Sequence, residues 1–69
     1  MNKPMSDSEK AKLQIRHLIN KFKFTRDKID AEYYHYTKSK IIGTINFCKV
    51  SELITEEEAN IFMNEVLRF

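Results

Sequence analysis

The side chains best suited to metal binding or nucleophilic catalysis in this 69-residue sequence are two histidines and one cysteine. His17, His35 and Cys48 are far apart in the chain, whereas two ligands for one ion on a helix stand three or four residues apart. Cys48 follows Ile41 and Ile45 at helical spacing, and a cysteine on such an apolar stripe is usually a core residue. We therefore expect no metal site and no cysteine nucleophile.

The run Glu56-Glu57-Glu58 resembles a cluster of catalytic carboxylates, but it also has the composition of a helix's first turn. Acidic residues there are stabilised by the helix dipole, and this is sufficient to account for them. The sequence also lacks a phosphate-binding glycine loop, and a chain this short has little room to enclose a substrate pocket. We predict a non-enzyme that uses no cofactor.

The run from Lys21 to Lys40 alternates basic and aromatic residues. Lysine and arginine neutralise phosphates and tyrosine rings stack on bases, so this run is compatible with nucleic-acid binding. Asp27, Asp30 and Glu32 interrupt the positive charge, and no helix-turn-helix pattern is evident. Nucleic-acid binding by residues 21–40 is therefore the alternative hypothesis.

Protein binding explains the same residues better, because Tyr33, Tyr34 and Tyr36 cannot all face one small core. Tyrosine and arginine are favoured at protein interfaces. On the last predicted helix, Ile61 points away from the apolar stripe and is a further candidate contact. We expect the partner to be another protein, or a second copy of this chain. The predicted partner-binding residues are Lys21, Lys23, Phe24, Arg26, Lys28, Tyr33, Tyr34, Tyr36 and Ile61.

Length and composition predict one small domain over residues 1–69, with residues 1–5 as a disordered tail. A single cysteine excludes an internal disulfide, and no run approaches the ~20 apolar residues of a membrane span. The polar N-terminus does not resemble a signal peptide, so we expect a cytoplasmic protein. Residues 1–40 hold ten of the twelve basic residues, which favours either a fold that neutralises itself or a head-to-tail dimer.

The last helix is the clearest element. Thr55 and Glu58 have the spacing of a capping box, and an apolar stripe follows. Ser6 and Glu9 predict a second box and a helix starting near Asp7. Its main stripe is Ala11, Ile15, Leu18, Ile19 and Phe22, and the stripe of the last helix is Ala59, Phe62, Met63, Val66 and Leu67.

Residues 29–50 allow two interpretations. As a helix, they place Ile29, Tyr33, Tyr36 and Phe47 on one side and Tyr34, Ile41, Ile45 and Cys48 on another. As strands, they form a β-hairpin over 33–50 with its turn at residues 37–40. That turn lacks Gly, Asn and Asp, so we favour helix, capped by Thr25 or Asp27 and interrupted near Ser39. Gly43 is tolerable in a helix where two helices approach closely.

The predicted fold is therefore all-α, a small bundle of three to four helices ending in an antiparallel helical hairpin. The alternative is an α+β fold with a central β-hairpin over 33–50. The segment from Ile41-Ile42-Gly43-Thr44 to Leu53-Ile54-Thr55-Glu56-Glu57-Glu58 resembles the closing hairpin of many small bacteriophage and mobile-element proteins. In those proteins a glycine often precedes the leucine, whereas Ser51 and Glu52 stand here. The resemblance implies an accessory protein that inhibits a host defence component, of the anti-CRISPR or anti-restriction sort.

Overall fold

A computed structural model describes residues 5–69, which form three α-helices and no strand. Helix α1 spans Asp7–Thr25, a 3-10 turn spans Arg26–Lys28, α2 spans Ala31–Val50 and α3 spans Glu56–Leu67. The prediction of an all-α fold is confirmed, and the alternative β-hairpin over 33–50 is wrong because those residues lie inside α2. Within residues 5–69, none of the helices has the length and apolar character needed to cross a bilayer. The predicted tail, residues 1–5, falls outside the described residues except for Met5.

Two helices begin where the sequence predicts. The Thr55 hydroxyl accepts the Glu58 amide at 3.0 Å, and the Glu58 carboxylate accepts the Thr55 amide at 2.8 Å, so this capping box is complete. The Ser6 hydroxyl likewise accepts the Glu9 amide at 3.1 Å. There the Glu9 carboxylate accepts from the Ser6 hydroxyl at 3.1 Å, so the second box is formed on one side only.

The start of α2 corrects two predictions. Thr25 does not cap it, because its hydroxyl donates to the Lys21 carbonyl at 3.0 Å, and Asp27 lies in the 3-10 turn. The cap is Asp30, whose carboxylate accepts the Tyr33 amide at 2.8 Å. Nor is the helix interrupted near Ser39, since α2 runs unbroken to Val50. Burial of one side of α2 outweighs the weak helix propensity of its middle.

Buried residues from all three helices, together with Ile54 from the connection between α2 and α3, form one core. They are Ala11, Ile15, Ile19, Phe22, Ile41, Ile45, Cys48, Ile54, Ala59, Phe62 and Val66. The predicted stripe of α1 is confirmed, with Leu18 at its partly buried edge. In α3, Leu67 departs from prediction with 57% of its surface exposed. It is the last residue of the helix, and Val66 takes the core position.

Helix α2 ends in a Schellman motif, a turn in which two backbone amides cap the last carbonyls of the helix. The Glu52 amide donates to the Lys49 carbonyl at 3.1 Å and the Leu53 amide to the Cys48 carbonyl at 2.9 Å. This geometry places Glu52 in the left-handed region, with φ of 62°. Glycine is the usual residue there, because any side chain with a Cβ is strained.

Replacing Glu52 by Gly is expected to stabilise the protein by about 1 kcal/mol, because glycine adopts the left-handed conformation without strain. Urea denaturation followed by circular dichroism measures the change. Ser51→Gly is the control: the φ of Ser51 is −80°, so glycine there brings only flexibility and is expected to destabilise. A Glu52→Gly protein less stable than the parent would contradict the prediction.

Three ion pairs join basic α1 to acidic α3. Lys12 contacts Glu58 at 3.0 Å, and Arg16 and Lys23 contact Glu65 at 2.7 and 3.1 Å. The Thr55 amide and the Lys12 ammonium hold the pKa of Glu58 below its usual 4.5. At Glu65 partial burial acts to raise the pKa, but hydrogen bonds from Arg16 and Lys23 outweigh it and the pKa is lowered.

Glu65→Gln is expected to destabilise the protein by about 0.5–1 kcal/mol at neutral pH, the usual range for partly exposed pairs. Because the pKa of Glu65 is lower in the folded state, its contribution is complete above pH 4.5 and disappears as pH falls through the folded pKa. Urea denaturation of the parent and Glu65→Gln proteins between pH 7 and pH 2 measures this contribution. At neutral pH, 1 M salt should reduce the difference between their free energies of unfolding. A difference that grows on acidification would refute the prediction.

Candidate functional site

The structure separates Tyr33, Tyr34 and Tyr36. Tyr33 and Tyr36 are 55% and 62% exposed, and their ring centroids lie 6.1 Å apart on one side of α2. Tyr34 turns inward, with its ring 5.2 Å from that of Phe22 and its hydroxyl donating to the carbonyl of Phe69. Tyr34 therefore links α2 to α1 and to the residues after α3, while the rings of Tyr33 and Tyr36 remain exposed.

Tyr33 and Tyr36 form one wall of a groove between α1 and α2, with a volume of about 210 Å³. Its floor is apolar and its rim carries two lysines, Lys21 from α1 and Lys40 from α2. None of its lining residues belongs to α3. The groove is lined by Leu18, Lys21, Phe22, Thr25, Ile29, Tyr33, Tyr36, Thr37, Lys40 and Ile41.

Two of the other predicted site residues contact this chain's own aromatic and acidic groups. The Lys23 ammonium and the Arg26 guanidinium lie 5.7 and 5.2 Å from the centroid of the Phe69 ring. Lys23 also pairs with Glu65. Cations at this distance from a ring face are attracted by its quadrupole. Both side chains therefore help to hold the end of the chain against α1.

The remaining predicted residues lie away from the groove. Ile61, 57% exposed, and Lys23 line a separate depression of about 470 Å³ between α1 and α3. Phe24, 80% exposed, and Lys28 line neither cavity. The nine predicted residues thus do not form one surface: only Lys21, Tyr33 and Tyr36 meet in the groove.

The predicted set omitted several groove residues. Lys40 belongs to the basic run and stands four residues after Tyr36, a spacing that places both on one side of a helix. Leu18 stands at the edge of the α1 stripe. Both signals are present in the sequence. Ile29 also had a signal, since helical spacing places it on the same side as Tyr33 and Tyr36. Thr25 carries no such signal, because its position depends on how the 3-10 turn brings α1 and α2 together.

The groove combines polar and apolar side chains. Its polar groups are lysines, threonines and tyrosine hydroxyls beside an apolar floor. Across residues 5–69 no three histidine, cysteine, aspartate or glutamate side chains come together as a metal site would require. Tyrosine is enriched at protein interfaces, because its ring buries apolar area while its hydroxyl can still form a hydrogen bond.

Comparison with known proteins found no matching family model, no matching curated protein and no matching solved structure. The function of the groove is therefore inferred from its own residues.

Proposed function

We propose that this protein is a small non-enzymatic binding module that acts by contact with another protein, through the groove between α1 and α2. The observation that carries the proposal is the exposure of Tyr33 and Tyr36 beside an open apolar groove. Isolated exposed apolar side chains are ordinary, but paired rings next to a cavity are typical of a binding surface.

The scaffold that we infer is a three-helix bundle whose last two helices form an antiparallel hairpin. Two sets of contacts support it. The Cys48 carbonyl accepts amides from Leu53 and Ile54 where α2 passes into α3, and Tyr34 near the start of α2 bonds to Phe69 after α3. Both ends of α2 thus contact α3 or its flanking residues. The wall of the groove that α2 provides therefore lies on a helix packed at both ends.

Tyr33→Ala/Tyr36→Ala is expected to abolish partner binding while the helical circular dichroism signal stays unchanged, because both rings are largely exposed. The test is quantitative affinity capture from a cell lysate with the parent protein as bait. The matched control is Leu13→Ala, which removes an exposed apolar side chain on the other side of α1, 58% exposed. Equal capture by the parent and the double variant would reject the groove as the binding surface.

The identity of the partner follows only from the resemblance of residues 41–58 to phage and mobile-element proteins. On that basis we propose an inhibitor of a host defence component, of the CRISPR or restriction type, acting in the cytoplasm. Addition of the purified protein to a reconstituted defence nuclease tests this. Cleavage should fall in proportion to the protein added, and unaffected cleavage would exclude that nuclease as the target.

Nucleic-acid binding is the second candidate, favoured by Lys21 and Lys40, which line the groove together with the exposed tyrosine rings. A mobility shift at two salt concentrations separates the candidates, because phosphate contacts weaken steeply as salt rises. Retardation at low salt that is lost in Lys21→Glu/Lys40→Glu would support it, and no retardation at low salt would eliminate it.

A further inference from the structure

We propose that the groove receives an acidic amphipathic helix of the partner protein, which packs beside α1 and α2 as a fourth helix. This inference rests on the proposed function and specifies the chemistry of the partner. One side of α1 is covered by α3, and another side forms the groove.

Helix α3 shows how this chain binds an acidic amphipathic helix. It places Ala59, Phe62 and Val66 in the core and pairs Glu58 and Glu65 with α1. The basic residues that receive these carboxylates are Lys12, Arg16 and Lys23. At 3.6 residues per turn they lie within about 40° of one another around α1, on one flank of its buried stripe.

The other flank of α1 carries the same kinds of residue. Leu18 and Lys21 lie there, beside Thr25, roughly opposite the residues that hold α3. In residues 5–69, neither Lys21 nor Lys40 forms an ion pair with a carboxylate. This flank therefore offers an apolar floor and two lysines, and no helix of the described chain covers it. Carboxylates on a helix with an apolar face are the complementary chemistry.

Gly43 is not among the residues that line the groove, but it continues the side of α2 that carries Tyr36 and Lys40. Tyr36, Lys40, Gly43 and Phe47 follow one another at intervals of four, three and four residues, so they share one side of α2. A Cβ at Gly43 would meet nothing within 4 Å, so no helix among residues 5–69 approaches α2 closely at this glycine. A glycine in an exposed helix interior costs about 1 kcal/mol relative to alanine, and it allows another backbone to approach.

The length of this side of α2 and the charges around the groove restrict the length of the partner helix and the positions of its carboxylates. Tyr36 to Phe47 spans about 16 Å of α2 at 1.5 Å per residue, which a helix of three turns covers. Phe47 is 66% exposed and would meet its apolar face. Asp30 and Glu32 line a depression beside Tyr33 and Tyr36, so the partner's carboxylates belong near Lys21 and Lys40, away from that end.

Two synthetic peptides test the charge preference. Both carry leucines at i, i+3, i+4 and i+7, and one has glutamates and the other lysines at the flanking positions. Each is titrated into the ¹⁵N-labelled protein, and amide shifts are followed by NMR. The acidic peptide should bind at least about tenfold more tightly than its basic twin, with the largest shifts along Leu18–Thr25 and Tyr33–Phe47. Lys21→Glu/Lys40→Glu should reverse the preference.

Gly43→Ala tests whether this side of α2 is a docking surface without disturbing the fold. The added methyl group meets nothing in this chain, so the variant should be at least as stable as the parent. It should nevertheless bind the acidic peptide several-fold more weakly, because the methyl group holds the peptide backbone away from α2. Leu13→Ala should leave binding unchanged.

Equal binding of the two peptides, or shifts centred on Leu13 and His17, would overturn the inference. Self-association through Tyr36 would also overturn the inference, since a second copy would then occupy the groove. Light scattering without peptide detects such self-association. If the peptides fail while Tyr33→Ala/Tyr36→Ala still abolishes capture, the proposed function stands and only the acidic helix is excluded. If capture also survives the double substitution, both proposals fall.

Discussion

Phe22→Ala is expected to destabilise the protein by about 3–5 kcal/mol, the usual cost of removing a buried aromatic side chain. Phe22 is 1% exposed, and its ring lies 5.2 Å from that of Tyr34 and 5.4 Å from that of Phe69. Its loss leaves a cavity where α1, α2 and the residues after α3 meet. A domain of this size is stable by only ~3–10 kcal/mol, so the variant should be largely unfolded or close to it.

Phe24→Ala is the matched control, because it makes the same substitution two residues away at a side chain that is 80% exposed. It should change the free energy of unfolding by less than about 0.5 kcal/mol. Urea denaturation gives both values, and Phe22→Leu provides a milder variant if Phe22→Ala does not fold. Similar losses for Phe22→Ala and Phe24→Ala would show that Phe22 does not hold the core.

Thr55→Ala is expected to cost about 1–2 kcal/mol, the upper part of the range for a helix cap. The substitution removes the hydroxyl that accepts the Glu58 amide and weakens the reciprocal bond that the Thr55 amide donates to the Glu58 carboxylate. It also loosens the entry to α3 directly after Ile54, which is buried in the core. The measurement is again urea denaturation, with the loss of helical circular dichroism as the signal.

Thr44→Ala makes the same chemical change inside α2 and should be neutral or slightly stabilising. The Thr44 hydroxyl donates to the Lys40 carbonyl at 2.9 Å, a hydrogen bond that adds little to the stability of the helix. A Thr55→Ala protein as stable as Thr44→Ala would show that the capping box does not stabilise α3.

The ends of the helices could be predicted where the signal is local. Thr55 and Glu58 are three residues apart and satisfy each other's backbone amides, so no knowledge of the rest of the fold is needed. The start of α2 was harder, because Thr25, Asp27 and Asp30 are all suitable caps within six residues. Only the packing of Ile41 and Ile45 against α1 and α3 selects Asp30 and carries α2 through Ser39.

The candidate site was predictable in part. Helical periodicity already separated Tyr33 and Tyr36 from Tyr34, and the structure places Tyr34 inward and the other two outward. The groove itself was not predictable, since it depends on the turn that sets α1 beside α2. The roles of Lys23 and Arg26 depend on Phe69, which is more than forty residues away in the chain.

The buried Cys48 thiol can report how often the native protein opens at the corner between α2 and α3. Its side chain lies in the core with 6% of its surface exposed, and its carbonyl accepts the Leu53 and Ile54 amides. An alkylating reagent can reach the sulfur only when the corner between α2 and α3 separates. The alkylation rate of the native protein, divided by that of the urea-unfolded chain, therefore gives the open fraction without denaturant when reclosing outpaces alkylation.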